Sequence, residues 1–424
     1  MFEMVSMDQA MQLIRSGMRV YVQGTAATPL SLLQAMTRRG PELEDVTLVH
    51  MHLEGPAPWV EGACLGHVHD VSLFVGPNLR AAVRRGDASY IPLFLSDVPW
   101  YLSQPETRPH VALINVSPPD RHGFVSLGPS IDATLTAIEQ ADIVIAQVNP
   151  QVPRVLGDAC IPVDRITVAV AVDEPLSVLP ERPVDEAMVA IGRLVADLVP
   201  DRACLQIGIG RVPDAVMRSL EGHQDLGVHT EMMSDGVRHL AAQGVITGRY
   251  KVTDPGKIVA SFALGSRELY DFVSDNPAVS LHGVDYTNDT AVIRRNPRMV
   301  SVNSAVEVDI TGQVAAEAIG PHVVSGVGGQ MDFVRGASLA PEGRSIIALP
   351  ARTGRGEPRI VASLRRGAAV TTTRNHVQYV VTEYGVAELK GATIEERAWR
   401  MIAIAHPEDR ETLTREAREL IAGL

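Results

Sequence analysis

The stretch Gly227-Val-His-Thr-Glu-Met-Met-Ser-Asp-Gly236 decides how this 424-residue chain is read, because it sets one carboxylate, Glu231, where a strand gives way to a helix. Residues 225–230 form a short, partly apolar run of strand character. Ser234 or Asp235 can cap a helix after it, and Gly244 can end that helix. Open α/β sheets bind ligands outside the carboxyl ends of their strands, so a side chain at such a corner can enter a site. The same glutamate is also explained, on local sequence alone, as a first-turn acid favoured by the helix dipole.

Moving towards the N-terminus, residues 204–209 read as a strand ending in glycine, and Gly208 stands five residues before Pro213. Near the start of the chain, residues 18–22 read as a strand running into Gly24, which stands five residues before Pro29; each proline leads into a helical pattern. The shared spacing fits two domains of similar topology. Helices are expected over 7–16 and 30–37, and strands over 46–50, 111–116, 143–148 and 166–170 in the first part. In the second part strands are expected over 258–262, 299–302, 345–349, 369–372 and 378–382, with helices over 395–405 and 407–420 broken at His406-Pro407. Short runs apolar on both faces indicate parallel sheets. Prolines and mixed charge over 173–183 precede a helix whose apolar residues, Val184, Met188, Ile191, Val195 and Leu198, step by four and three, so the domain boundary is placed near 175–185. The fold class is α/β, with one open doubly wound domain over 1–180 and a second over 181–424 that carries Glu231.

A chain of this length exceeds what one core usually holds, which supports two domains of roughly 200 residues. The net charge of −12 disfavours nonspecific nucleic-acid binding. Cys64, Cys160 and Cys204 lie far apart without metal-ligand or CxxC spacing, so neither a disulfide nor a zinc site is expected. No basic segment followed by an apolar core opens the chain and no apolar run approaches membrane-spanning length, so a cytoplasmic protein without membrane partners is expected.

Gly208-Ile-Gly-Arg-Val-Pro-Asp-Ala-Val216, His229-Thr-Glu-Met-Met-Ser-Asp-Gly236, Ser301-Val-Asn-Ser-Ala-Val-Glu-Val-Asp309 and Val380-Val-Thr-Glu-Tyr-Gly-Val-Ala387 occur in an order that resembles the acetyl-CoA hydrolase/transferase family. Ser89-Tyr-Ile-Pro-Leu-Phe-Leu-Ser-Asp-Val-Pro99 and Val116-Ser-Pro-Pro-Asp-Arg-His-Gly-Phe-Val-Ser-Leu-Gly128 extend the resemblance over nearly the whole chain. It implies two CoA-transferase-type α/β domains facing each other across a cleft, and a homodimer. The implied activity is CoA transfer from an acyl-CoA to a small carboxylate, with CoA a substrate and no cofactor or metal. The family also contains hydrolases, and a catalytically silent CoA-binding subunit is the third reading.

By resemblance Glu231 is the nucleophile that attacks the thioester, Asn288 an oxyanion donor and Gly328 or Gly329 the second donor. Gly208, Gly210 and Gly326 then allow close approach of CoA. Read without the family, Gly208-Ile-Gly210 begins a dinucleotide fingerprint but has Pro213 where the third glycine belongs, and a tight strand-to-helix turn explains it equally well. Asn288 is also explained as a turn residue before a helix. Glu307 and Asp309 share a strand face and are read as structural or as lining the acceptor pocket; Glu383 is a rival nucleophile, and His229 and His122 are rival bases. Arg352, Arg374 and Lys390 could meet CoA phosphates. The family usually has glycine at Arg211 and asparagine at Asp214, which leaves local contacts there open.

Overall fold

The computed structural model describes residues 2–180, 183–208 and 210–422. Part of the expected boundary segment, Glu181 and Arg182, lies outside the described residues, as does Ile209 of the glycine loop.

Two eight-stranded sheets organise the chain. Across the first, the strands run Glu3–Met4, Val168–Ala171, Ile143–Val148, Val111–Val116, Arg19–Val22, Val46–His50, Val68–Ser72 and Ala88–Tyr90. All are parallel. After the edge strand Glu3–Met4 the chain crosses to the centre at Arg19–Val22, steps outward to Ala88–Tyr90, then returns to the other side of Arg19–Val22 and steps outward again to end beside Glu3–Met4. The second sheet repeats this winding from Cys204–Ile207: outward through Gly227–His229, Ile258–Ala260 and Val279–Leu281, then back to Met299–Asn303, Arg344–Ala348 and Tyr379–Thr382. Its far edge, Gly385–Glu388, is antiparallel. Gly24 and Gly208 thus each follow the strand at which a sheet's winding begins. Central strands such as Val111–Val116 and Met299–Asn303 are buried at every position, as expected of parallel strands covered on both faces.

The helix after the boundary, Glu186–Ala196, starts where the Asp185 carboxylate accepts the Met188 amide at 3.0 Å, and it buries Met188, Ile191 and Val195 on one face. The helix Asp235–Ala242 ends before Gly244, which takes φ +75°. Ser234 precedes it without a side-chain cap, and Asp235 instead accepts the amide and hydroxyl of Ser266.

Several expected elements come out differently: the strand expected over 258–262 divides into Ile258–Ala260 and Phe262–Ala263 in separate sheets, and the last helix, Arg410–Ala422, begins after a 3-10 turn over Pro407–Asp409. The first helix is only Met7–Met11. Residues 369–372 form no strand; Thr372 alone exchanges backbone hydrogen bonds with Val314, while the Thr371 hydroxyl accepts the amides of Ala316 and Glu317. A side chain there takes the place of a ladder, which β-branched composition alone does not reveal.

Backbone seams join the two halves. Residues 129–132 run along 261–263, with Ala263 donating to Pro129 O at 2.7 Å and Ile131 to Ser261 O at 3.1 Å. At another seam, the Leu95 amide donates to Gly328 O at 3.0 Å. Ile191 is fully buried in the core of the second sheet. An Ile191→Ala substitution is expected to cost about 2–5 kcal/mol of stability, measurable by urea unfolding.

Candidate active site

The strand Gly227–His229 passes Thr230, whose amide bonds Val259 O at 3.0 Å, and reaches Glu231. There the main chain is pinned: Glu231 O accepts the amides of Ser261 at 2.8 Å and Phe262 at 3.1 Å. The half-buried side chain turns towards Asn288, which follows the helical turn Val284–Thr287, and towards Gly329, which precedes the helix Gln330–Leu339. Asn288 Nδ2 lies 3.4 Å from Glu231 Oε2 and 3.1 Å from Asp332 Oδ2. The Thr287 hydroxyl donates to Asn288 Oδ1 at 2.9 Å, consistent with the nitrogen facing the two carboxylates. A Cβ on Gly329 would overlap both Glu231 Oε2 and Asn288 Nδ2, so a side chain there would displace the carboxyl and the amide, and the Gly329 amide faces Glu231 and favours its ionised form. Gly328, at φ +56°, lies against the Phe74 ring.

Burial, followed by the negative charge of Asp332, pushes the Glu231 carboxyl up to about 7; the Asn288 and Gly329 hydrogen bonds act in the opposite sense. Asp332 is buried too and is raised to about 6 by desolvation, against hydrogen bonds from Ser96 and Asn288. Ser96 belongs to the first half and donates its amide at 3.2 Å and its hydroxyl at 2.8 Å to Asp332. Ser96 stands inside the stretch Ser89–Pro99 and Asp332 shortly after the glycines 328 and 329, yet neither is given a role by the sequence. The one signal available was an acid in the first turn after a glycine pair.

The structure thus gathers Glu231, Asn288, Gly328 and Gly329. Gly326 lies in the same loop, packed against Phe74, with the Val75 amide donating to Ser325 O at 3.3 Å. Gly208 and Gly210 flank the carboxyl end of the adjacent strand, Cys204–Ile207; a Cβ at Gly208 would approach Val302 O and Asn303, and one at Gly210 would meet nothing within 4 Å. Neither touches Glu231.

Other candidates are engaged elsewhere. His229 is fully buried, its Nε2 2.9 Å from Thr287 O, and burial with the Lys251 charge lowers it to about 3. It is a neutral prop for the turn that carries Asn288. His122 is exposed beside Arg121. Glu307 pairs with Arg365 at 3.1 Å, and Asp309 accepts donors from Thr311 and Gln313, so both are structural. Glu383 accepts the Ala351 amide at 2.8 Å. Arg352 is held by Glu408 and Asp409, both at 2.6 Å, while Arg374 and Lys390 are exposed.

A doubly wound pair of sheets with a glutamate, an amide donor and a glycine loop at their junction defines a class of α/β enzyme site. Family models for the acetyl-CoA hydrolase/transferase N-terminal and C-terminal domains match residues 2–180 and 265–417. The chain is 46% identical to a succinyl-CoA:acetate/propanoyl-CoA:succinate CoA transferase of Fasciola hepatica, over 97% of this chain and 86% of that one. It is 44% identical to a 4-hydroxybutyrate coenzyme A transferase of Clostridium kluyveri, over 98% and 97% respectively. Its structure superposes on RipA from Yersinia pestis with a TM-score of 0.94 at 34% identity, covering 99% of this chain and 97% of that one. The chain belongs to the acetyl-CoA hydrolase/transferase family.

Two outcomes are expected from the site's electrostatics. A carboxyl titration of Glu231 followed by difference infrared spectroscopy should have its midpoint near 7, and Asn288→Ala should move it upward by removing a donor to the ionised form. Because the folded value of about 7 exceeds the ordinary 4.5, the folded state binds the extra proton between these values, and this contribution to stability is lost as pH rises through 7. Glu231→Gln should therefore raise the melting temperature at pH 8 relative to wild type and give no such gain at pH 4.

Proposed function

We propose that this chain is an acyl-CoA:carboxylate CoA-transferase in which Glu231 carries CoA between two acids. The observation that carries the reading is the Glu231 carboxylate facing the Asn288 amide and the Gly329 N–H, a nucleophile beside two donors. The names of the two relatives supply the substrate classes, an acyl-CoA donor and a small carboxylate acceptor.

In the proposed sequence a Glu231 oxygen attacks the thioester carbonyl. Asn288 and the Gly329 amide, with Gly328 shaping the loop, stabilise the oxyanion of the tetrahedral intermediate. Its collapse breaks the C–S bond and leaves an acyl-glutamyl anhydride and CoA thiolate. The thiolate then attacks the glutamyl carbonyl, expels the acyl group as a carboxylate and leaves a glutamyl-CoA thioester. A second carboxylate takes the CoA by the reverse steps. Every bond made or broken joins an acyl carbon to oxygen or sulfur, and no electrons change hands between redox states, so the scheme calls on no metal or redox cofactor. The desolvation that raises Glu231 also leaves its ionised form poorly solvated and ready to attack. The glycines Gly208, Gly210 and Gly326 are assigned to close approach of CoA, whose remote contacts can lower the chemical barrier.

Mixing the protein with acetyl-CoA or butyryl-CoA and then borohydride, without acceptor, should reduce a glutamyl thioester to the alcohol on the peptide containing Glu231. Glu231→Ala should abolish this product and lower kcat at least about a thousand-fold. Acceptor-independent CoA release at the rate of turnover, with the peptide unmodified, would establish hydrolysis instead.

A further inference from the structure

We propose that Asp332 is a positioning residue that aims the Asn288 amide at Glu231 and is itself set by Ser96 from the first half of the chain; this rests on the reading of Glu231 as the nucleophile. A carboxamide nitrogen carries two hydrogens in one plane. Asp332 Oδ2, at 3.1 Å, takes one, and the other faces Glu231 Oε2 at 3.4 Å. Without Asp332 the amide keeps its long 3.4 Å contact with Glu231 Oε2 and its bond from the Thr287 hydroxyl, which can follow it as it turns.

Asp332 has the surroundings such a role requires. It is 4% exposed, and a buried carboxylate needs donors. Three are present: the Ser96 amide, the Ser96 hydroxyl and Asn288. It also sits in the first turn of the helix Gln330–Leu339, where the helix dipole favours an anion. Ser96 belongs to the turn Leu95–Asp97, and the Leu95 amide of that turn holds Gly328 O at 3.0 Å. One short segment of the first half thus sets both the glycine loop and the aspartate behind the amide donor.

The charge of Asp332 has a second effect. It opposes the ionised form of Glu231, an opposition that ends when Glu231 becomes an uncharged acyl derivative. The other charges facing the pair are Asp132, towards Glu231, and Asp97, towards Asp332, both acids acting in the same direction.

The test compares wild type, Asp332→Asn, Ser96→Ala and the double variant by kcat, KM, the pH profile of kcat/KM, and borohydride trapping on the Glu231 peptide. Asp332→Asn is expected to lower kcat about 10- to 100-fold with KM for the acyl-CoA largely kept. Its acid limb should move to lower pH, because the lost negative neighbour acts on Glu231 more strongly than the Asn288 hydrogen bond that is loosened with it. Ser96→Ala should produce a smaller change of the same kind and add little in the Asp332→Asn background. If Asp332→Asn does not fold, Ser96→Ala decides by whether its kcat falls with KM for the acyl-CoA kept. Trapping in wild type together with an unchanged kcat in the variants, or effects of the two substitutions that simply multiply, overturns the positioning role and leaves the nucleophile standing. A wild-type protein that traps nothing on Glu231 overturns both.

Discussion

Two carboxylates, the buried Asp332 and the half-buried Glu231, share a single amide at the centre of this molecule, and the surrounding architecture serves to hold them there. Ionised acids this close repel one another, and burial removes the water that would screen them, so each is held well above its ordinary titration range. The arrangement is tolerated because the donors are fixed by backbone: Gly329 leads a helix, Asn288 follows a helical turn braced by His229, and Ser96 is set by the Leu95 contact with Gly328. The stability forgone at Glu231 above pH 7 is what a nucleophile in a dry site costs the fold.

The repeated winding explains how donors from distant parts of the sequence converge. In each half the winding builds outward twice from a central strand, Arg19–Val22 or Cys204–Ile207, which places glycine-bearing turns and strand ends along one edge of each sheet. Apposition of the halves along the backbone seams then delivers Phe74 to the loop 326–329 and Ser96 to Asp332 of the second. Neither sheet alone contains the constellation.

Much of this was legible in the sequence where the signal is local. Strands 46–50, 111–116 and 143–148 match their observed bounds because largely apolar runs between turn residues have few other uses. Glu231 at its corner and the glycine pair at 328–329 were visible as a motif, although the demand for glycine at 329 comes from atoms of Glu231 and Asn288 far away in sequence. The role of His229 was not legible, since a buried histidine and a titrating base look alike until Thr287 O is seen opposite its ring. The expected strand over 369–372 failed because a threonine hydroxyl supplies the acceptor that a neighbouring strand would have provided. The link from Ser96 to Asp332 joins residues with no common periodicity, and only the apposition of the halves creates it.

The seam between 129–132 and 261–263 bears on how the protein is made. Glu231 O is bonded by Ser261 and Phe262, while Ser261 O and the Ala263 amide are bonded by the first half. A chain emerging from the ribosome can complete its first sheet early, yet it cannot fix the Glu231 backbone until residues 261–263 arrive, nor surround the carboxylate until 288 and 329 follow. The reactive group is therefore assembled late in synthesis, and an unfinished chain carries this glutamate as an ordinary solvated acid.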